Sequence, residues 1–141
     1  MYKYKQAGNG RYILSLDNHV SLIEALTEFC GEHGILSGSI GGLGAVNTAT
    51  FRYLDPVTMV YVDKTFDEQM ELTSIVGNIS RKDGKVYLHV HVTASRSDYT
   101  CIGGHLLDCR INGACELFIE DWGVEVGRVQ NPETGLNHYE F

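Results

Sequence analysis

Three histidines are the side chains of this sequence best suited to holding a metal ion. His89 and His91 lie one residue apart within residues 85–93, and His105 follows Gly103-Gly104. Valine and leucine alternate with the other residues of that segment, which predicts a strand with His89 and His91 on the same face. Two imidazoles at this spacing are about 7 Å apart at Cβ. Both can therefore reach one cation at roughly 2.0–2.1 Å from each nitrogen.

A third ligand requires the chain to double back between residues 95 and 104. Gly103-Gly104 suits such a reversal, because glycine adopts positive φ and permits close approach of other atoms. Three histidines with an open fourth position are typical of a catalytic or ligand-binding zinc site, whereas structural zinc sites are closed. The alternative is a polar strand face that carries imidazoles without a metal. Surface roles are expected for His19, His33 and His138.

Length and composition indicate one globular domain. The chain has 141 residues, of which 43% are hydrophobic and 21% charged, so we expect one domain over residues 1–141, with residues 1–9 as a flexible or edge segment. No apolar run approaches the roughly 18 residues of a membrane helix, and the first residues do not resemble a secretory signal. The four cysteines form no Cys-x-x-Cys pair. Together these features predict a cytoplasmic location, no membrane partner, and reduced, mostly buried thiols.

The charge balance argues against unaided binding to nucleic acid. Eleven Lys and Arg residues against eighteen Asp and Glu residues give a net charge of −7 and an isoelectric point near 5.2. Binding to duplex DNA depends on clustered basic side chains that neutralise phosphates. The densest basic cluster, residues 81–85, has the composition of a solvated turn. Binding of DNA by the isolated chain is therefore expected to be weak or indirect.

The periodicity of the chain predicts one helix and many strands. Residues 10–16 alternate as a first strand. Ser21 and Glu24 have capping-box spacing, so a helix should begin there and end near Gly34. Further strands are predicted near residues 46–53, 57–63, 66–80, 85–93 and 114–120, with a turn at Asn112-Gly113 and a loop over residues 131–135. This order predicts an α/β protein of the α+β type, with a mostly antiparallel or mixed sheet and one main covering helix.

A tight turn at Asp83-Gly84 would pair residues 71–78 directly with residues 87–93. Glu71 and Asn78 then become possible outer partners of the histidines, and Arg96 and Glu116 are further candidates for that role. Enzymatic chemistry at a metal would also need an acid or base nearby. The polar side chains available for such roles are Glu71, Arg96, Asp98 and Glu116, although such residues on strands more often face solvent or form ion pairs.

The segment of residues 38–45 is rich in glycine but matches neither Gly-x-Gly-x-x-Gly nor Gly-x-x-x-x-Gly-Lys. A strand, rather than the helix that would bind phosphate, is predicted after it. Nucleotide binding is therefore disfavoured. Close backbone packing, or a bulged strand at a subunit contact, is the better interpretation.

Several short motifs resemble those of the plants-and-prokaryotes-conserved (PPC) domain family over almost the whole chain. The matching stretches are residues 10–12, 22–29, 40–45, 70–72, 77–79, 88–92, 103–106 and 132–136. The signatures around His89 and His91, and around Gly104-His105, are the most specific of them.

The resemblance implies an α/β fold with a mostly antiparallel sheet, assembled as a homotrimer. It also implies that His89, His91 and His105 form a zinc site near the subunit boundary. In plants the domain follows AT-hook motifs in nuclear DNA-binding proteins, and bacterial members are commonly labelled DNA-binding. This chain has no AT-hook, no Arg-Gly-Arg-Pro core and no basic tail. A DNA-associated regulatory role would therefore act through other proteins.

The family architecture is also similar to that of acetolactate decarboxylase, a zinc enzyme with a His-x-His strand pair and a later histidine. A shared fold does not transfer activity, but zinc with an open position can polarise a carbonyl or activate water. Three functions stay open at this point. They are a trimeric zinc-binding module associated with DNA or regulation, a zinc-dependent enzyme acting on a small carbonyl or carboxylate substrate, and a protein-interaction trimer.

Overall fold

A computed structural model describes residues 1–141 and contains nine strands and one helix. The helix, α1, spans Leu22–Glu32. The strands are β1 (Tyr2–Gln6), β2 (Arg11–Leu16), β3 (Gly38–Leu54), β4 (Tyr61–Phe66), β5 (Met70–Lys82), β6 (Lys85–Ser95), β7 (Cys101–Asp121), β8 (Gly127–Gln130) and β9 (Asn137–Glu140). All strand pairs are antiparallel except one parallel contact between β5 and β8. The predicted α+β class with one covering helix is confirmed.

Helix α1 begins as its capping residues predict. The Ser21 side chain accepts a hydrogen bond from the backbone N–H of Glu24, and its hydroxyl donates to Asp108 on β7. Gly34 adopts a φ of +64° just beyond the helix, a left-handed conformation that ends helices at low cost. The apolar face of α1 is fully buried against the inner face of the sheet through Leu22, Leu26 and Phe29. No helix is long and apolar enough to cross a membrane.

Four strands close into a hydrogen-bonded ring. Strand β3 pairs with β5, β5 with β6, β6 with the start of β7, and β7 with β3 along most of its length. Because alternate side chains point to opposite faces, the ring encloses a core that includes Ile75, Val90, Val92 and Leu106. The residues between them face outward.

Directly opposed residues on six strands form one cross-strand row on the outer face. The row contains, in order, Ile13, Phe118, Gly41, Val76, His91, His105, Arg52 and Asp63. Opposed residues in a sheet lie close enough to interact. The first half of the row is apolar and exposed, since Phe118 has an exposed fraction of 64% and Val76 of 61%. A Cβ at Gly41 would overlap the ring of Phe118, which lies across that glycine.

Two predicted features differ from the structure, one element was not predicted, and the edge segment expected at the N-terminus is present as a strand. The strand predicted at residues 57–63 starts only at Tyr61, because Asp55 accepts hydrogen bonds from the N–H groups of Val57 and Thr58 and holds a turn. Asn112-Gly113 is not a hairpin turn but an irregularity within the single long strand β7, close to where its register with β3 shifts. The β8–β9 hairpin was not predicted, and residues 2–6 form the edge strand β1.

Candidate metal centre

Strand β6 presents two of the histidines. His89 and His91 alternate with the buried residues Val90 and Val92, which are exposed by only 1% and 3%. Burial of these valines in the ring fixes the strand face, so both imidazoles must point outward. The sequence pattern alone was sufficient to predict this arrangement.

The third histidine, His105, lies on β7 and reaches the other two because the chain reverses direction between β6 and β7. Asp98 accepts hydrogen bonds from the backbone N–H and the hydroxyl of Thr100, which stabilises the turn. The reversal pairs His91 directly with His105. A Cβ at Gly103 would lie 2.5 Å from the carbonyl oxygen of Val92, and Gly104 has a φ of +147°. Glycine is therefore required at both positions, for close approach at the first and backbone conformation at the second.

The three imidazoles converge on one point. One nitrogen from each of His89, His91 and His105 lies within 4.8 Å of the others. The Nε2 atoms of His89 and His91 are 3.2 Å apart. Two nitrogens bound to one tetrahedral zinc ion are about 3.3 Å apart. The donor set and its spacing thus fit a zinc ion. The 3.2 Å separation of the two Nε2 atoms also suits a hydrogen bond between the rings.

Burial keeps two of these imidazoles neutral. Desolvation, followed by the effects of His105, His91 and Arg128, lowers the pKa of His89 from its usual 6.5 to about 4. The pKa of His105 is lowered for the same first reason, with smaller contributions from His91 and Arg52. A neutral imidazole has a free lone pair, which is the form that binds a metal.

An ion pair adjoins His105 at the end of the cross-strand row. Arg52 donates two hydrogen bonds of 2.7 Å to the carboxylate of Asp63, and its guanidinium lies 4.8 Å from the ring centre of Tyr61. The hydrogen bond from Arg52 holds the pKa of Asp63 below its usual value. Sequence analysis missed both residues, because only the pairing of β3 with β4 and β7 brings them to the histidines.

A buried arginine lies behind His89. Arg128 on β8 is 9% exposed. It donates hydrogen bonds to the hydroxyl of Ser80, the side-chain oxygen of Asn78 and the backbone oxygen of Asn137. Its guanidinium also stacks between two tyrosine rings, those of Tyr87 and Tyr139, at 4.7 and 4.6 Å. Arg128 forms no salt bridge, so its charge is held by neutral partners alone. No sequence motif marked this residue.

Two cavities adjoin the histidines. The first, about 690 Å³, lies between β3, β4 and the start of β7, and includes Arg52 and Lys64 in its wall. The second, about 640 Å³, lies between β6, the N-terminal turn of α1 and the β8–β9 hairpin. His91 and His105 line both cavities, and His89 lines the second. The histidine cluster therefore lies at the junction of two open spaces large enough for a small molecule.

Of the predicted outer partners, only Asn78 lies beside the cluster, directly opposite His89 across the β5–β6 pair. Glu71 is opposite Ser95 and lines a different cavity. Arg96 forms a salt bridge of 3.0 Å with Glu68, and Glu116 is exposed opposite Leu43. These three side chains have other surroundings because each lies several residues along the chain from the positions that face the histidines.

The remaining histidines lie outside the cluster. His19 and His138 are exposed, as predicted. His33 caps the end of α1 and is half-buried, with its ring stacked 4.1 Å from that of Phe29. The prediction of a surface role was therefore wrong for His33, because the aromatic contacts with Phe29, Tyr4 and Tyr12 became visible only in the fold.

Fold and site together define a β-rich domain with a candidate metal centre on its outer face. The chain belongs to the Plants and Prokaryotes Conserved (PCC) domain family, whose model matches residues 3–123. This match confirms the family that the sequence motifs indicated. No protein of curated function matches the chain.

Solved structures share the whole fold. A candidate DNA-binding protein from Bacteroides thetaiotaomicron is 49% identical, with a TM-score of 0.97 over 100% of this chain and 98% of that chain. A metal-containing protein from Archaeoglobus fulgidus is 32% identical, with a TM-score of 0.88 over 100% and 99% of the two chains. The α-acetolactate decarboxylase of Bacillus subtilis strain 168 is 14% identical, with a TM-score of 0.54 over 94% of this chain and 59% of that chain. At that identity the likeness shows the fold alone.

The lowered pKa of His89 predicts a pH-dependent stability of the metal-free protein. The unfolded chain binds a proton at His89 near pH 6.5, whereas the folded chain does so only near pH 4. Between these values the unfolded state holds more protons, so the free energy of unfolding should fall as the pH falls. Urea unfolding in the presence of a chelator measures this slope. It should become shallower in His89→Gln and stay unchanged in the exposed control His138→Gln, and a flat profile for the unmodified chain would contradict the prediction.

Proposed function

We propose that this chain is a zinc-binding module with a regulatory role, in which His89, His91 and His105 hold the ion and the fourth position faces the two cavities. The observation that carries the proposal is the convergence of the three ring nitrogens within 4.8 Å. The name of the Archaeoglobus fulgidus relative, a metal-containing protein, supports a metal. The four free thiols, three of them buried, are compatible with a reducing compartment such as the cytoplasm.

A bound zinc ion would act as a Lewis acid toward a group at its open position. The side chains of this chain would set the conditions around it. Val90 and Val92 fix the orientation of His89 and His91, Asn78 and Arg128 support the strand that carries them, and the cavity walls restrict access of solvent. A neutral His89 would be available as a ligand down to acidic pH, because burial lowers its pKa.

Zinc binding is tested by elemental analysis. Purified protein should contain about one zinc ion per chain, and His91→Ala should reduce metal affinity by more than the roughly 10–100-fold that loss of an outer partner costs. His138→Ala, at an exposed position on β9, is the matched control and should keep its zinc. Equal metal content in the His91→Ala protein would exclude this ligand set.

We also propose that the chain assembles as a homotrimer through the outer face of its sheet. The exposed apolar side chains Ile13, Phe118 and Val76 lie next to one another in the cross-strand row, and Leu43 is exposed beside them. An exposed apolar patch of this kind is typical of a contact surface. A cyclic trimer would bury it in repeated contacts that close into a ring. The row continues directly into His91, so such a contact would lie beside the metal centre.

The trimer is tested by light scattering on wild-type protein and two lysine variants. Phe118→Lys should lower the oligomeric state, because a charge would be placed in the buried contact. Phe141→Lys makes the same chemical change at a fully exposed position at the chain end and should leave the trimer intact. A wild-type monomer at about micromolar concentration would contradict the proposal.

DNA association, which the name of the Bacteroides thetaiotaomicron relative suggests for that protein, is proposed here to be indirect. Three chains of net charge −7 would give a trimer of about −21, which repels a polyanion at long range. A DNA-associated regulatory function would then require a protein partner that carries the basic motif.

Fluorescence anisotropy with random and A·T-rich duplexes tests direct binding. At physiological salt the isolated protein should bind no better than a generic acidic protein. Submicromolar binding that weakens steeply with salt, the signature of counterion release, would instead assign DNA binding to the chain itself.

A zinc-dependent enzyme acting on a small carbonyl or carboxylate substrate is the second candidate, and the cavities at the histidines favour it. Neither cavity, however, has a carboxylate in its wall that could act as general acid or base. The amine of Lys64 or a tyrosine hydroxyl in the walls would have to serve in that role. The geometry therefore supports ligand binding at the metal more strongly than turnover.

A further inference from the structure

The charged side chains that line the two histidine cavities are all basic. The chain has eighteen acidic residues, yet none of them lines either cavity. The charged side chains in the walls are those of Arg52 and Lys64. The nearest acid in the cross-strand row, Asp63, is already paired with Arg52. In this acidic protein the cavity walls at the candidate metal centre thus carry Lys64, which forms no salt bridge, and Arg52, whose charge is offset by Asp63.

Arg128 adds a second source of positive charge. Burying a charged side chain without an opposite charge is costly, and Arg128 is buried among neutral hydrogen-bond acceptors and two tyrosine rings. Its partner Asn78 lies opposite His89, and its partner Asn137 lines the second cavity. The field of Arg128 therefore acts on the space next to His89.

Part of the wall of the second cavity is apolar. Leu54, Leu88, Leu107 and Leu136 line it together with the ring of Tyr61. Leu136 belongs to the loop between β8 and β9, which lies beyond the residues matched by the family model. A ligand that fills this cavity would thus contact apolar side chains as well as the histidine cluster.

We infer that the second cavity binds a small carboxylate with an apolar body, whose carboxylate occupies the open metal position while its apolar part packs against the leucines. This inference rests on the proposed zinc site and adds the class of its ligand. The β8–β9 hairpin is the specificity element, because it supplies Leu136 and Asn137 to the wall and Arg128 to the electrostatic field. No covalent bond of the ligand is made or broken. A zinc ion held by His89, His91 and His105 would accept a carboxylate oxygen in place of solvent.

The test uses zinc-loaded protein whose metal content has been measured, titrated calorimetrically with acetate, isovalerate and benzoate. The corresponding amides, acetamide, isovaleramide and benzamide, have almost the same shape without the charge. At least one carboxylate should bind more than about tenfold more tightly than its amide. An amide that binds as tightly as its carboxylate, or no saturation with any carboxylate up to about 10 mM, would overturn the inference.

Two isosteric variants separate charge from shape at the cavity wall. Leu136→Asp should weaken carboxylate binding about tenfold relative to Leu136→Asn, and the two variants should bind the amides equally. Both change a side chain that is 42% exposed, so the core is undisturbed. Arg128→Gln should also weaken carboxylate binding, whereas Arg11→Gln, at an exposed ion pair with Glu120, should not. Equal carboxylate affinity in the Asp and Asn variants would count against the inference.

Zinc content separates failure of this inference from failure of the proposed function. Zinc-loaded protein that shows no preference for carboxylates over amides would contradict the proposed ligand class but not the proposed metal site. Protein that takes up no zinc would contradict both the zinc site and the inferred ligand. Arg128→Gln protein that keeps its zinc and its thermal unfolding temperature while losing carboxylate affinity would assign the effect to the charge rather than to the fold.

Discussion

The antiparallel register that sets His91 opposite His105, and His105 opposite Arg52, fixes the position of every group at the candidate metal centre. Three strands that are distant in sequence meet there, and β7 is the strand common to both pairs. A shift of one residue in either pair would turn a histidine to the opposite face. The buried valines of β6 and the glycines at 103 and 104 prevent such a shift, since each fits only one register.

The same register places an apolar region and a charged region of the outer face on either side of the histidines. On one side of His91 the cross-strand row is apolar and exposed, and on the other it carries the Arg52–Asp63 pair. The inner face has no such division, because it is filled by the core and by α1. An assembly contact on the apolar side would therefore come close to the metal centre without covering the cavities beside His105.

The distribution of charge gives the centre its chemical character. The chain is acidic as a whole, but no acid lines the histidine cavities, and Asp63 beside them is paired with Arg52. Lys64 and Arg128 lie at or behind the walls and form no salt bridge. A metal ion held by three neutral imidazoles would add to this positive potential. The arrangement suits an anionic ligand, and it differs from a surface for DNA, which requires positive charge spread over an exposed face.

The sequence by itself determined the elements whose signals are local. Alternation placed His89 and His91 on one strand face, Ser21 and Gly34 bounded the helix, and the motifs indicated the family. The tertiary structure alone decided which distant residues join the histidines. Arg52, Asp63 and Arg128 reach the site through strand pairing and through the β8–β9 hairpin, whereas Glu71 pairs with Ser95, beyond the histidines along β6. Such long-range contacts depend on register and bulge position, which no local pattern encodes.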